Sequence, residues 1–139
     1  MNIEEYRTQM SLWAILAAPL IATADLTQMT PETKALLTNK DVIAIDQDRA
    51  GKEGDRVYAE GPVEIWERPL ADGGAAIGIF NRHPGPMTAR VDLGKLGFSG
   101  TTKVRNVWAG TETHVTSGPT TFNLLGHSVV LLRLTRAGK

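Results

Sequence analysis

The chain has 139 residues, 42% of them hydrophobic, which is the size and apolar content of one ordinary domain with a buried core. Fifteen Lys and Arg balance fifteen Asp and Glu, so no net field attracts nucleic acid or an anionic membrane, and no Lys/Arg run is suited to phosphates. Cysteine is absent, which excludes disulfides, thiol catalysis and cysteine-held metal.

The first element includes the stretch SLWAILAAPLIATADL, Ser11 to Leu26, an apolar run that ends in Ala22-Thr23-Ala24. Read as an export signal, it offers an h-region and an A-x-A cleavage pattern, with the mature chain starting near Asp25. The residues before it point elsewhere, because a signal begins with positive charge and this one has Glu4 and Glu5 against a single Arg7. Ile3, Tyr6, Met10, Trp13 and Ala17 recur at steps of three and four, which places them on one helical face. Asn2 can cap that helix with Glu5 as a near capping box, and Pro19 stops it. The run also falls short of the roughly 20 apolar residues that cross a bilayer, so no membrane partner is expected. Leu20-Ile21-Ala22-Thr23 reads as a short buried strand, Thr30-Pro31-Glu32 opens a helix through Leu37, and Asn39 caps another short one.

All fourteen glycines lie at or beyond Gly51, and the pattern changes there to period two. Val63/Ile65 alternate with Glu64/Trp66, followed by Ile77/Ile79, Val91/Leu93, Val104/Asn106/Trp108 and Val129/Leu131. Turns at Asp72-Gly73-Gly74, Pro84-Gly85-Pro86, Phe98-Ser99-Gly100 and Ser117-Gly118-Pro119 separate these runs. The spacing predicts an antiparallel β-sandwich of about seven or eight strands, able to fold alone. The part before it has no sheet on which to bury its strand, which is how the end of an α/β barrel or doubly wound sheet reads.

Particular residues then carry a family resemblance. EEYRTQMSLWAILAAPL at Glu4 to Leu20, MTPETKALLTNKDVIAIDQD at Met29 to Asp48, and GKEG at Gly51 to Gly54 resemble the C-terminal part of α-galactosidases of glycoside hydrolase family 27. VEIWERPL at Val63 to Leu70, VRNVW at Val104 to Trp108 and HSVVLLRL at His127 to Leu134 resemble strands of that family's C-terminal β domain. The resemblance implies that residues 1–50 are the last helix-strand-helix elements of a (β/α)8 barrel and residues 51–139 the antiparallel sandwich. Thr23-Ala24-Asp25 departs from the family's usual Gly-Asn-Asp at a strand end facing the catalytic side. The implied reaction is retaining hydrolysis of α-galactosides by two carboxyl groups about 5 to 5.5 Å apart. The family's motifs for both precede this segment, so no catalytic residue, cofactor or metal is carried over. A secreted or periplasmic location for the parent enzyme is likewise only implied.

Taken on their own chemistry, the remaining candidates are few. Asp25 stands just past the expected barrel strand, where a turn cap competes with a substrate contact. Trp66, flanked by Glu64 and Glu67, and Trp108 offer rings for sugar stacking or for packing. Asp41, Asp46 and Asp48 read as a solvated, capped helical segment. His83, His114 and His127 lack the spacing of a zinc site, Ser128 lacks the glycine frame of a nucleophile elbow, and Gly73-Gly74 is a turn. Three functions follow: an α-galactosidase segment inactive by itself, a carbohydrate-binding sandwich, or an interaction module. In the last, Trp13, Ile15, Leu16, Leu20 and Ile21 would meet a missing barrel portion or a second copy of the chain.

Overall fold

In the computed structural model the described residues are 3–16, 31–98, 101–115 and 119–136. Pro19, the expected strand at Leu20 to Thr23 and the candidate Asp25 lie outside them. Among the described residues three helices come first: α1 (Ile3–Ile15), α2 (Pro31–Leu37) and α3 (Lys40–Asp46). Pro31 stands at the first helical position of α2, where its fixed φ suits the helix and its missing N–H costs nothing. Asn39 caps α3, its side-chain oxygen accepting from the amides of Asp41 at 2.9 Å and Val42 at 3.1 Å.

Eight strands follow: β1 (Asp55–Glu60), β2 (Val63–Pro69), β3 (Ala75–Asn81), β4 (Met87–Asp92), β5 (Thr102–Asn106), β6 (Thr111–Val115), β7 (Pro119–Leu124) and β8 (Val129–Arg136). They make the mainly β, antiparallel sandwich that the turn spacing predicts. Its sheets are unequal, six strands in the order β1-β2-β3-β8-β5-β6 against a two-stranded β4-β7. Two runs end differently from their pattern. Leu93 follows β4 in a turn while remaining buried, and β5 stops at Asn106, so Trp108 sits in the turn beyond it. β1 and β6 carry no apolar alternation, because their side chains are mostly exposed, whereas β7 alternates and turns Phe122 and Leu124 to the core between the sheets.

Alternation along the central strands sorts the core into two. Ala75, Ile77 and Ile79 of β3 join Val63, Ile65, Ala89, Val91, Leu132 and Leu134 between the two sheets. Ala76 and Phe80 of β3 face the other way and join Leu131 of β8 with Met10, Ala14 and Ile15 of α1 and Val42 and Ile45 of α3. The helices therefore cover the outer face of the six-stranded sheet, with α1 lying across β2, β3 and β8. β3 is buried at all seven positions because both of its faces are covered.

The buried side of α1 consists of Met10, Ser11, Ala14 and Ile15, with Tyr6 and Trp13 half-buried beside it. Ile15, expected to offer itself to a partner, is wholly buried on this chain's own sheet. Gly78 makes room for it, since a Cβ there would come 2.4 Å from Ile15 Cδ1.

Candidate functional site: the joint between helices and sheet

Helices end with carbonyls that lack intrahelical partners and with the negative end of a dipole, so a cation near that end is favourable. Neither α1 nor α3 has a basic residue in its last turn. Arg68, on the outer face of β2, supplies that cation to both. Its guanidinium is fully buried, and Nη1 donates to Ala14 O at 3.0 Å, to Asp46 O at 3.1 Å and to Ile45 O. Its Nε donates to Lys52 O at 2.5 Å, which ties the linker into the same knot. Among the described residues, Arg68 Nη2 and Asp46 Oδ1 are buried without a hydrogen-bond partner.

Gly54 completes the joint, its amide donating to Ile15 O at 2.7 Å. Any Cβ at that position would stand 2.9 Å from the carbonyl oxygens of both Ile15 and Glu67. The backbone of the Gly51 to Gly54 motif thus approaches the end of α1 as closely as only glycine allows.

Both candidate tryptophans sit at this joint. Trp66 is half-buried against the helical cluster and donates from Nε1 to Glu64 Oε1 at 3.1 Å. Trp108 packs on the same cluster and donates from Nε1 to Ser11 Oγ at 2.8 Å, while Ser11 in turn donates to Arg7 O at 2.7 Å. At the other end of the joint, Thr8 Oγ1 donates to His127 O at 2.9 Å.

The carboxylates are tied in comparable ways. Asp41 accepts from Arg105 Nε at 3.1 Å and Nη2 at 2.9 Å, a two-pronged pair linking α3 to β5. Asp48 Oδ2 accepts from the amides of Ala50 at 3.1 Å and Ala71 at 2.9 Å, linking the segment after α3 to the β2-β3 turn. Asp46, read from sequence as solvated, is buried at 6% exposure because the sheet and Arg68 close over the end of α3. Glu64 pairs with Arg82 at 3.3 Å. Burial pushes the Glu67 carboxyl up, and nearby Arg136 pulls it back in part. Among the described residues no three His, Cys, Asp or Glu are grouped to hold a metal ion. No nucleophile-and-acid pair emerges from this set; its geometry suits the mechanical fastening of two layers.

Arg68 and Gly54 went unremarked as functional residues in the sequence, although both lie in the quoted motifs. A lone buried arginine in an alternating strand gives no periodic signal. The one available clue is that Arg68 shares, by alternation, the face of the strand that carries Trp66.

Comparison with known proteins covers the chain in two consecutive pieces. Residues 1–48 match the family model described as Alpha galactosidase A, and residues 60–134 match the Alpha galactosidase C-terminal beta sandwich domain. An α-galactosidase of Cyamopsis tetragonoloba is 31% identical over 137 residues, covering 97% of this chain and 33% of that protein. The crystal structure of α-galactosidase I from Mortierella vinacea superposes with a TM-score of 0.90 at 27% identity, over 100% of this chain and 37% of that one. A family 27 β-L-arabinopyranosidase from Geobacillus stearothermophilus gives 0.90 at 30% identity, over 100% of this chain and 32% of that one. The chain thus spans about a third of the length of these relatives.

Proposed function

This chain belongs to the α-galactosidase family, glycoside hydrolase family 27, and from that premise we propose that residues 1–50 close the end of a (β/α)8 catalytic barrel while residues 51–139 form the sandwich bracing it. The parent reaction on this reading is retaining hydrolysis of terminal α-D-galactosyl residues. One carboxylate attacks the anomeric carbon, and one carboxyl group protonates the leaving oxygen and then activates water. Neither group belongs to residues 1–139, so the chain alone performs no hydrolysis.

The role of its own residues is positional. Arg68 holds the ends of α1 and α3, and α1 leads directly into the segment that contains Asp25. A barrel strand fixed at that point would keep its rim in register with the rest of a catalytic pocket, where small displacements are costly. Trp66 and Trp108 serve as packing and hydrogen-bonding members of the joint rather than as sugar platforms. The observation that supports the reading most is the order of the two family matches, 1–48 and then 60–134. Residues 49–59, where the glycines begin, lie between them.

The test is turnover of a chromogenic α-galactoside, with a β-L-arabinopyranoside run in parallel. The 139-residue chain alone is expected to give none. A chimera in which it replaces the corresponding third of the Cyamopsis enzyme is expected to hydrolyse the galactoside. Turnover by the isolated chain that disappears with Asp25→Asn would overturn the reading.

A further inference from the structure

The two sheets of the sandwich differ in width, six strands against two, and among the described residues β4 pairs with β7 alone. The other edge of β4 therefore carries backbone N–H and C=O groups that no strand receives. That edge borders a cleft of about 720 Å³. Consecutive residues from Met87 to Arg90 line it, the buried Ala89 and the exposed Arg90 alike, and the edge of a strand presents both kinds at once. The floor is Val63 and Ile65 of β2, with Tyr58 of β1 beside them. Tyr58 opposes Ile65 in the register and so shares the inner face, yet it is 44% exposed.

The cleft has the dimensions of one more strand. With a rise of about 3.4 Å per residue, about 4.8 Å between strands and about 10 Å between sheets, a strand residue in a sandwich fills roughly 160 Å³, so this space holds about four to five of them. β1 and β2 run beneath it, which leaves room for one extended segment where a second folded sandwich would meet β1 first. Charge narrows the choice. Among the described residues the side chains of Arg90 and Lys95 have no ion-pair or hydrogen-bond partner, and both border the cleft. The carboxylates there are engaged: Glu60 accepts from the Tyr58 hydroxyl, and Asp92 Oδ1 accepts from the Gly94 amide at 2.9 Å. The charges left to answer are therefore the two cations.

We propose that the cleft receives an extended acidic segment of another protein, which adds to the two-stranded sheet as a third strand beside β4. Its apolar side chains rest on Val63, Ile65 and Tyr58, and its carboxylates turn to Arg90 and Lys95. In strand addition the main-chain hydrogen bonds give affinity and alternate side chains give specificity. A period of two sets apolar residues on the floor and acidic ones at the rim of the same strand. The ion pairs at that rim are exposed, so binding weakens as salt is added.

The experiment is a titration of the ¹⁵N-labelled 139-residue chain with a terminally blocked Val-Glu-Val-Glu-Val peptide, followed through amide shifts. A Val-Lys-Val-Lys-Val peptide and a backbone N-methylated form of the acidic one are run beside it. Saturable shifts from Met87 to Asp92 and at Tyr58 are expected with the acidic peptide, together with slower solvent exchange of β4 amides. The lysine peptide is expected to bind about tenfold more weakly. Arg90→Glu is expected to reverse that order, a gain for the lysine peptide that an unfolded variant could not give. The N-methylated peptide, unable to donate to β4, is expected to lose the shifts. Absence of saturable shifts, equal binding of the acidic and lysine peptides, an order unchanged by Arg90→Glu, or undiminished binding of the N-methylated peptide would overturn the proposal. So would dimerisation of the peptide-free chain that protects the same amides, because it would assign the edge to a second copy.

Discussion

The two faces of the six-stranded sheet are covered by different means. On the inner face, residues between Val63 and Leu134 close upon one another, and β4-β7 supply the lid. On the outer face the core is shared, with residues of α1, α2 and α3 on one side and Ala76, Phe80, Val129 and Leu131 on the other. The outer joint adds polar ties to this packing: Arg68 to the ends of two helices, Trp108 to Ser11, and Arg105 to Asp41. A sandwich whose inner core is self-sufficient can serve as a platform, and its outer core is what it lends to the helices.

The sharpest way to break that difference is Arg68→Met, because it strips one donor group from carbonyls at the ends of both helices and the linker. The cost expected is about 3–5 kcal/mol, with helical circular dichroism lost at lower urea than sheet signal. Equal loss of both signals would show that the layers do not separate. A smaller effect is expected from Gly78→Ala, whose added methyl would collide with Ile15 and Phe80. Overpacking of this kind costs about 1–3 kcal/mol, measured as a lower urea midpoint.

The smallest effect concerns Asp72, in the turn joining β2 to β3. Its partial burial raises the carboxyl pKa, but the Gly74 amide and the Arg133 guanidinium outweigh that and hold it below the usual 3.8. A group depressed in the folded state contributes stability above its unfolded pKa and loses it as pH falls through the folded one. Asp72→Asn is therefore expected to lower stability at pH 7 by under about 1 kcal/mol, read as a slightly lower Tm, with the difference fading below about pH 4. A deficit that persists at pH 2 would assign the role of Asp72 to turn geometry instead of charge.

Much of this arrangement is legible in the sequence, in proportion to how local its cause is. Pro31 and Asn39 announce their helices because capping involves neighbours within three residues. Val63/Ile65 and Val129/Leu131 announce strands through alternation. The strand AAIGIFN, β3, carries the further message of burial on both faces in its lack of polar residues until Asn81. What stayed hidden depends on distant partners. β1, DRVYAE, is exposed at every position and holds its place through pairing with β2. Trp108 leaves the expected strand because the chain turns after Val107, where the Gly110 amide donates to Asn106 O at 2.8 Å and Gly110 takes a φ of +72°. Asp46 resembles a surface carboxylate until a residue 22 positions later, Arg68, covers the end of its helix. The register of β1 against β2 slips between Arg56 and Tyr58, which sets Tyr58 opposite Ile65, and nothing within β1 itself signals that slip.

The most direct measurement is thermal unfolding of residues 51–139 alone, followed by near-ultraviolet circular dichroism with light scattering on the same sample. A self-sufficient inner core predicts one cooperative transition at reduced Tm, together with association through the uncovered Phe80 and Leu131 face. A broad, non-cooperative melt would contradict it, showing that the helices are needed to form the sandwich as well as to cover it.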